Sequence, residues 1–439
     1  MERKNKKFLR NFISLLMAFL MIFSLAACGE TASGTTELTD TAQGNAGAGS
    51  GEESPFTIDA ICPVGEYEGI FNLGVELFKK AAAQSETERD KEKENMVFSP
   101  VSAMSLLASL SQASGGETLK QIQEAVGKDD ELFTLLMDGY RRSLNADKET
   151  ALVRSANSFW MRDEEGRLAV TDEFLAKCRY LDTQVFSAPF DKSTVTDINR
   201  WCSDHTDGMI DKIIDRISPD AVAYLINALT YENRWLVPYE KDQLRTGTFT
   251  DASGSSQKAE FMYSDENRYF EDELAEGFIK PYKDGFSFIA IRPKDGVTTD
   301  EYISRMTGEK LRKLINEPQQ ITVSAGIPEF SNEGFTDLVP VFESMGMRDL
   351  FDSGRADLTR MGTSSRGNIF IGAAFQKAFI EVNSDGTRAA AVSIAEAKDG
   401  CTMAEEAKTV ILDKPFIYII ADDSRIEGLP LFMGTVENI

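Results

Sequence analysis

Apolar residues recur near a helical period between Ile70 and Ala83, at Phe71, Val75, Leu77, Phe78 and Ala82, and predict an amphipathic helix there. Met96-Val97-Phe98 is a short apolar strand stopped by Ser99-Pro100. Ser99 or Ser102 is placed to cap the helix that follows, which carries Met104, Leu106, Leu107 and Leu110. Gly115-Gly116 breaks that helix, Thr118 to Val126 forms the next, and Val195 to His205 forms another that stops at Thr206-Asp207-Gly208. The runs Val222 to Leu229, Phe286 to Ile291 and Ile321 to Phe330 read as strands, and Gly334 to Met345 as a helix. The last third is strand-rich, at Ile369 to Val382, Phe416 to Ile420 and Leu431 to Met433. Helices early and strands late predict an α+β fold with antiparallel or mixed sheets. With no internal repeat and no Pro/Gly linker after Ser54, residues 56–439 read as one domain.

The pattern differs before residue 56. A basic stretch (Arg3, Lys4, Lys6, Lys7, Arg10) precedes an apolar run from Phe12 to Ala27, which ends Leu25-Ala26-Ala27-Cys28-Gly29. A short apolar run behind positive charge reads as an export signal, and it falls short of the roughly 20 residues that a spanning helix needs. The small residues before Cys28 resemble a bacterial lipobox. That resemblance implies removal of residues 1–27, lipidation of Cys28, and a cell-surface protein anchored to the membrane. Residues 28–55 are rich in Gly, Ser, Thr and Ala and read as a flexible tether.

Charge narrows the function. The formal net charge is −24 with no basic stripe, which argues against a nucleic-acid partner. A single histidine, His205, sits at a helix end and cannot supply a two-histidine metal site. No G-x-S-x-G, H-E-x-x-H, phosphate-binding or dinucleotide-binding motif occurs. Residues 381–386 superficially resemble the start of a calcium loop, but Val392 stands where the bidentate acid belongs. The acidic cluster Glu271-Asp272-Glu273 reads as a solvated face. Cys62, Cys178, Cys202 and Cys401 are too widely spaced for a metal or redox pattern and read as free thiols, with a bridge from Cys62 the alternative. An enzyme, a metal and a cofactor are all unexpected.

Several segments together resemble the serpin family. Asn95-Met96-Val97-Phe98-Ser99-Pro100-Val101-Ser102 is similar to that family's strand-to-helix junction, and Gly116-Glu117-Thr118 to its next helix boundary. Ile198-Asn199-x-Trp201 through Gly208 resembles the helix lying across the main sheet. Asn227-Ala228 followed by Trp235 resembles the strand and breach where a bait loop enters the sheet. Lys377 to Asn383 with Gly386-Thr387 resembles the strand and hinge leading into the bait, and Lys414-Pro415-Phe416 and Phe432-Met433-Gly434 resemble the C-terminal strands. The match runs in order from about Gly69 to Ile439. It implies helices packed on three mostly antiparallel or mixed sheets, and a reactive loop at about residues 384–413. It also implies breach and shutter positions at Trp235, Ser99, Ser102, Asn227 and Gln376. Three positions depart from the pattern: Gln376 stands for a histidine, and Ser384 and Arg388 for acids. The Gln376 amide still offers a hydrogen bond to Asn227 or to the Ser99/Ser102 pair.

The bait carries its own physical signature. A strand inserted into a sheet turns alternate side chains inward. From Thr387 these are Thr387, Ala389, Ala391, Ser393, Ala395 and Ala397, all small. The intervening Arg388, Ala390, Val392, Ile394, Glu396 and Lys398 hold the bulk and the charge. Gly386 gives backbone freedom at the pivot, and Ala389-Ala390-Ala391-Val392 complete a compact hinge. Inserted as far as Gly400, the strand would span about 45 Å. A dozen new ladder hydrogen bonds at about 1 kcal/mol each would contribute on the order of 10 kcal/mol.

The resemblance implies suicide inhibition of serine proteases by a monomer: the protease cuts the bait, remains on it as an acyl-enzyme, and is carried away as the loop inserts. The family's nearly fixed distance from hinge to cut bond implies a cut at Gly400–Cys401 here, with Lys398, Met403 or Ala404 as alternatives. A small residue before the bond suits elastase-like or subtilisin-like proteases, whereas Lys398 would suit a trypsin-like one. The rival reading is a non-inhibitory binding protein of the same fold, and the small hinge residues count against it.

Overall fold

Ser99 and Pro100 show how local chemistry sets the chain's path. Ser99 is extended, its side chain accepts a hydrogen bond from the Ser102 amide, and Pro100 occupies the first helical turn, where its missing N–H costs nothing. The computed structural model describes residues 34–40, 64–88, 94–144, 149–163, 167–218, 221–387, 407–423 and 428–439. In chain order the elements are β1 (Thr36–Glu37), α1 (Val64–Glu88), β2 (Met96–Phe98), α2 (Pro100–Ala113), α3 (Gly116–Val126), α4 (Asp130–Leu144), β3 (Leu152–Arg162), β4 (Leu168–Val170), α5 (Asp172–Tyr180), β5 (Thr183–Ala188) and α6 (Lys192–His205). Then come β6 (Ala223–Arg234), β7 (Leu244–Thr250), β8 (Ser256–Glu266), β9 (Tyr269–Glu271), β10 (Ala275–Pro281), β11 (Phe286–Pro293), α7 (Thr299–Arg305), α8 (Gly308–Asn316), β12 (Val323–Pro328), β13 (Phe330–Asp337) and α9 (Leu338–Ser344). The chain ends with β14 (Gly362–Ser364), β15 (Ala373–Asn383), β16 (Gly386–Thr387), β17 (Lys408–Ile411), β18 (Phe416–Asp422) and β19 (Leu429–Val436).

The strands form a seven-stranded sheet in the order β1-β5-β3-β6-β16-β15-β13, a six-stranded sheet β2-β19-β18-β11-β10-β9, a four-stranded sheet β17-β12-β8-β7, and the pair β14-β4. The α+β expectation holds. The main sheet is buried on both faces. One face meets the large core that α1, α2 and the six-stranded sheet share, and the other carries a smaller core of Trp160, Tyr224 and Ile226 beneath Ile198 and Trp201 of α6. Buried Ala374, Gln376, Ala378, Ile380 and Val382 alternate along β15, the period-2 signature that made this strand readable.

Three expectations are corrected. The run Ile321 to Phe330 is two strands, because the chain passes from the four-stranded sheet to the main sheet after Pro328. The helix expected over Gly334 to Met345 is only α9, capped by Asp337; Gly334 belongs to β13, where a Cβ would lie 2.4 Å from the Val97 carbonyl oxygen. Within the segment read as a flexible tether, residues 34–40 pack on the main sheet: Thr36 pairs with Ser187 and Glu37 with Phe186 across β5. Thr35 Oγ1 donates to Asp197 of α6, 2.8 Å away, and the Leu38 N–H to the Val185 carbonyl at 2.7 Å. No helix among the described residues is long and apolar enough to cross a membrane. Residues 1–27 lie outside that description.

Candidate functional site

The centre of the main sheet holds a wedge. β6 and β15 run parallel and pair directly over seven residues, from Tyr224↔Ala373 to Thr230↔Phe379. Above that zip, β16 lies between them and runs antiparallel to both, with Gly386 opposite Arg234 and Asn383, and Thr387 opposite Asn233 and Val382. Gly386 has a φ of 150°, and a methyl group on it would come within 2.1 Å of the Asn233 carbonyl oxygen, so this position requires glycine. The next residue, Thr387, is fully buried and shares a 2.7 Å hydrogen bond with the Tyr282 hydroxyl. Burial holds the Tyr282 phenol well above its ordinary pKa, so it stays protonated and able to keep that bond.

A platform of aromatic rings supports the turn between β15 and β16. The Trp235 indole N–H donates to the Asn383 carbonyl at 2.9 Å, its amide to Asp385 at 3.1 Å, and the Tyr239 amide to Ser384 at 3.2 Å. Trp235 stacks on Tyr282 at 4.1 Å, nearly parallel, while Tyr239 meets Trp235 edge-on. On the opposite side the Ser384 amide donates to Glu329, 3.2 Å away. The site is therefore built from the ends of β6, β10 and β15 with the β12–β13 connection, far apart in sequence.

Lower in the same sheet, a second polar cluster lies between β3, β6, β15 and the start of α2. Gln376 does not reach Asn227, although the two are register partners; its oxygen accepts from the Ser99 amide at 2.8 Å and its nitrogen donates to the Ser99 carbonyl at 3.0 Å. Asn227 instead donates to Asn157 at 2.9 Å. Ser99 Oγ donates to the Leu431 carbonyl, and the Ser102 hydroxyl lies 3.4 Å from that of Ser155. Of the amide's two expected partners, the structure selects the Ser99/Ser102 side. Gln376 and Asn227 form the middle pair of the β6–β15 zip, so this cluster sits halfway along it.

The helix α6 lies across the other face of the sheet. Asn199 accepts from the Ile213 and Ile214 amides and donates to the Ile214 carbonyl, folding the following segment back on the helix, and Trp201 donates to Gln184 at 2.6 Å. Arg154 joins Asp207 to Glu232, tying the end of α6 to β6. His205 bonds to the Trp201 carbonyl and lies against its ring at a tilt, 4.6 Å between centres, a structural position. Cys178 and Cys202 are free and buried, and burial pushes the Cys202 thiol up to about 12. Sequence reasoning missed Tyr282, Tyr239, Asn157 and Ser155, whose partners are fixed by the fold and carry no local motif.

The ends of the expected reactive loop are strands. Gly386-Thr387 belongs to the main sheet, and Lys408–Ile411 runs parallel to β12 in the four-stranded sheet. Ala389, Ala390, Ala391, Val392, Lys398, Gly400, Cys401, Met403 and Ala404 between them lie outside the described residues, as do Cys28 and Cys62. A sequence profile of the family described as Serpin (serine protease inhibitor) matches residues 68–439. The chain is a serpin.

Neuroserpin of Gallus gallus is 27% identical over 391 residues, covering 84% of this serpin and 90% of that protein. Plasminogen activator inhibitor 1 of Neovison vison is 28% identical over 391 residues, covering 83% of this chain and 91% of the relative. Among solved structures, the thermophilic serpin tengpin in its native state superposes with a TM-score of 0.79 at 35% identity, over 92% of this chain and all of that one. The family has inhibitory members.

Proposed function

We propose that this serpin inhibits serine proteases as a suicide substrate. The observation that carries the reading is the wedge. A two-residue strand already sits antiparallel between β6 and β15, directly above seven parallel pairs, and is followed by residues whose inward positions are all small. Continued insertion exchanges one parallel pairing for two antiparallel ones, and antiparallel pairing is the more stable per residue. The protease serine attacks the carbonyl of Gly400, releases the amine of Cys401 as a new N-terminus, and stays esterified to Gly400. The freed strand then fills the gap, with Gly386 as pivot, Thr387 and Ala389 to Val392 as hinge, Trp235 at the breach, and Ser99, Ser102, Asn227 and Gln376 at the shutter. The small Gly400 supports elastase-like or subtilisin-like targets. Residues 56–439 act as one domain, and the protein is exported and held at the cell surface through lipidated Cys28.

The test is a gel. The full chain in detergent, mixed with elastase-like and subtilisin-like enzymes, should give an adduct stable in SDS, and mass spectrometry of the released peptide should begin at Cys401. A start at Asp399 moves the cut to Lys398, and a start at Ala404 moves it to Met403. Clean degradation by every protease, with no adduct, removes the inhibitory reading.

A further inference from the structure

Lys280 is a buried cation at the point where three sheets meet. It lies on β10 of the six-stranded sheet, 3% exposed, and its Nζ donates to Glu266 of β8 in the four-stranded sheet at 2.7 Å. The same Nζ is 4.3 Å from the centre of the Tyr239 ring and 5.4 Å from that of Trp235. Ser264 completes the group, with its hydroxyl donating to Glu266 and lying 3.4 Å from the Tyr239 hydroxyl. The two rings above this charge are those whose segment donates three hydrogen bonds to the turn at Asn383, Ser384 and Asp385.

Stability alone does not call for this arrangement. Exchanging a buried ion pair for apolar groups of similar volume is commonly neutral or stabilising, because desolvation offsets the attraction between the charges. A charge against two ring faces does fix their orientation, since the attraction depends on the cation lying over each face. Lys280 is two residues from Tyr282, which stacks on Trp235 and holds Thr387, so β10 supports the turn and the first inserted residue together.

We infer that Lys280, neutralised by Glu266 beneath Trp235 and Tyr239, is a positioning residue for the inhibitory reaction. It holds the rings that hold the β15–β16 turn, and so sets how often a cleaved bait inserts rather than being hydrolysed and released. The inference rests on the inhibitory reading above. Insertion competes with deacylation, so loosening the turn from which the new strand grows shifts that partition without unfolding the protein.

The experiment compares the full-length chain with Lys280→Met/Glu266→Gln, which removes both charges together, and with Lys280→Arg, which keeps a cation over the rings. Three quantities are read: inhibitor molecules consumed per protease inactivated, melting temperature, and hydrogen exchange at the Trp235 and Tyr239 amides. The double variant should consume about five times more inhibitor with its melting temperature within about 2 °C of the parent, and those two amides should exchange about tenfold faster. Lys280→Arg should stay close to the parent in all three. Unchanged consumption with unchanged exchange overturns the inference while leaving an inhibitory parent intact. Loss of inhibition in step with a falling melting temperature also overturns it, by making the pair a packing element. If the parent itself forms no adduct, the inhibitory reading falls, and exchange at the two amides alone decides whether Lys280 orders the turn.

Discussion

Gly386→Ala should turn the proposed inhibitor into a substrate. Gly386 is at φ 150°, a conformation that a residue with a Cβ rarely adopts, and the added methyl would lie 2.1 Å from the Asn233 carbonyl oxygen and 2.7 Å from Arg234 Cα. Both obstacles are backbone atoms, so no rotamer change relieves them. Forcing an alanine into a positive-φ conformation costs about 1–2 kcal/mol. If β16 instead leaves the gap, it forfeits its ladder to β6 and β15, with each hydrogen bond lost at about 1 kcal/mol. Either route sets about 1.5–2.5 kcal/mol against the hinge. At 1.4 kcal/mol per factor of ten, insertion should slow by about 10- to 100-fold. Hydrolysis of the acyl-enzyme is unaffected, so the partition shifts toward cleaved, released serpin. The assay titrates a fixed amount of protease and measures the molecules consumed per active site lost, with the cut bond checked by mass spectrometry. Parental consumption by Gly386→Ala would show that the wedge takes no part in insertion and refute the argument.

Three further outcomes are expected. Continuing the alternation from buried Thr387 places Ala391 on the inward face and Ala390 on the outward one. Ala391→Arg should therefore abolish inhibition by burying an unpaired charge at a cost of several kcal/mol, while Ala390→Arg stays near the parent; equal consumption by the two variants would refute the facing. Gln376→Leu leaves the buried Ser99 amide without its 2.8 Å acceptor and should cost about 2 kcal/mol, read as a lower melting temperature, with no change meaning that the amide contributes nothing net. Cys28→Ala should abolish membrane partition in the native host, and a membrane-bound product that retains residues 1–27 would point to an uncleaved helix.

Elements with local punctuation were legible in the sequence. Ser99-Pro100 marks where β2 ends and α2 begins, and alternation along β15 marks its inward face. Positions set by distant partners were not. Gly334 sits in a window whose apolar spacing suits a helix, yet it is a strand residue because β2 crosses it too closely for any side chain. Gln376 had two plausible partners by sequence, and only the position of the Ser99 backbone decides between them. The resemblance singled out Trp235, but not the ring stack and buried cation beneath it, since Lys280 and Glu266 come from different sheets. The pairing of residues 34–40 with β5 was hidden altogether, because a Gly/Thr-rich composition carries no record of an edge 150 residues away that needs covering.

That covering has a consequence for association between copies of the chain. A sheet edge with free backbone groups is a template on which another chain can add a strand, and natural proteins avoid long, flat, uncovered edges. In the main sheet the outer side of β5 is occupied: the Val185 carbonyl accepts from Leu38, its amide donates to Thr39 Oγ1, and Phe186 and Ser187 face β1. The same short segment that leads toward Cys28 thus also works as a gatekeeper against edge-to-edge association. A form that begins at the start of α1 would lose this cover and expose the template, so a shortened chain should begin no later than Gly34 if it is to stay monodisperse.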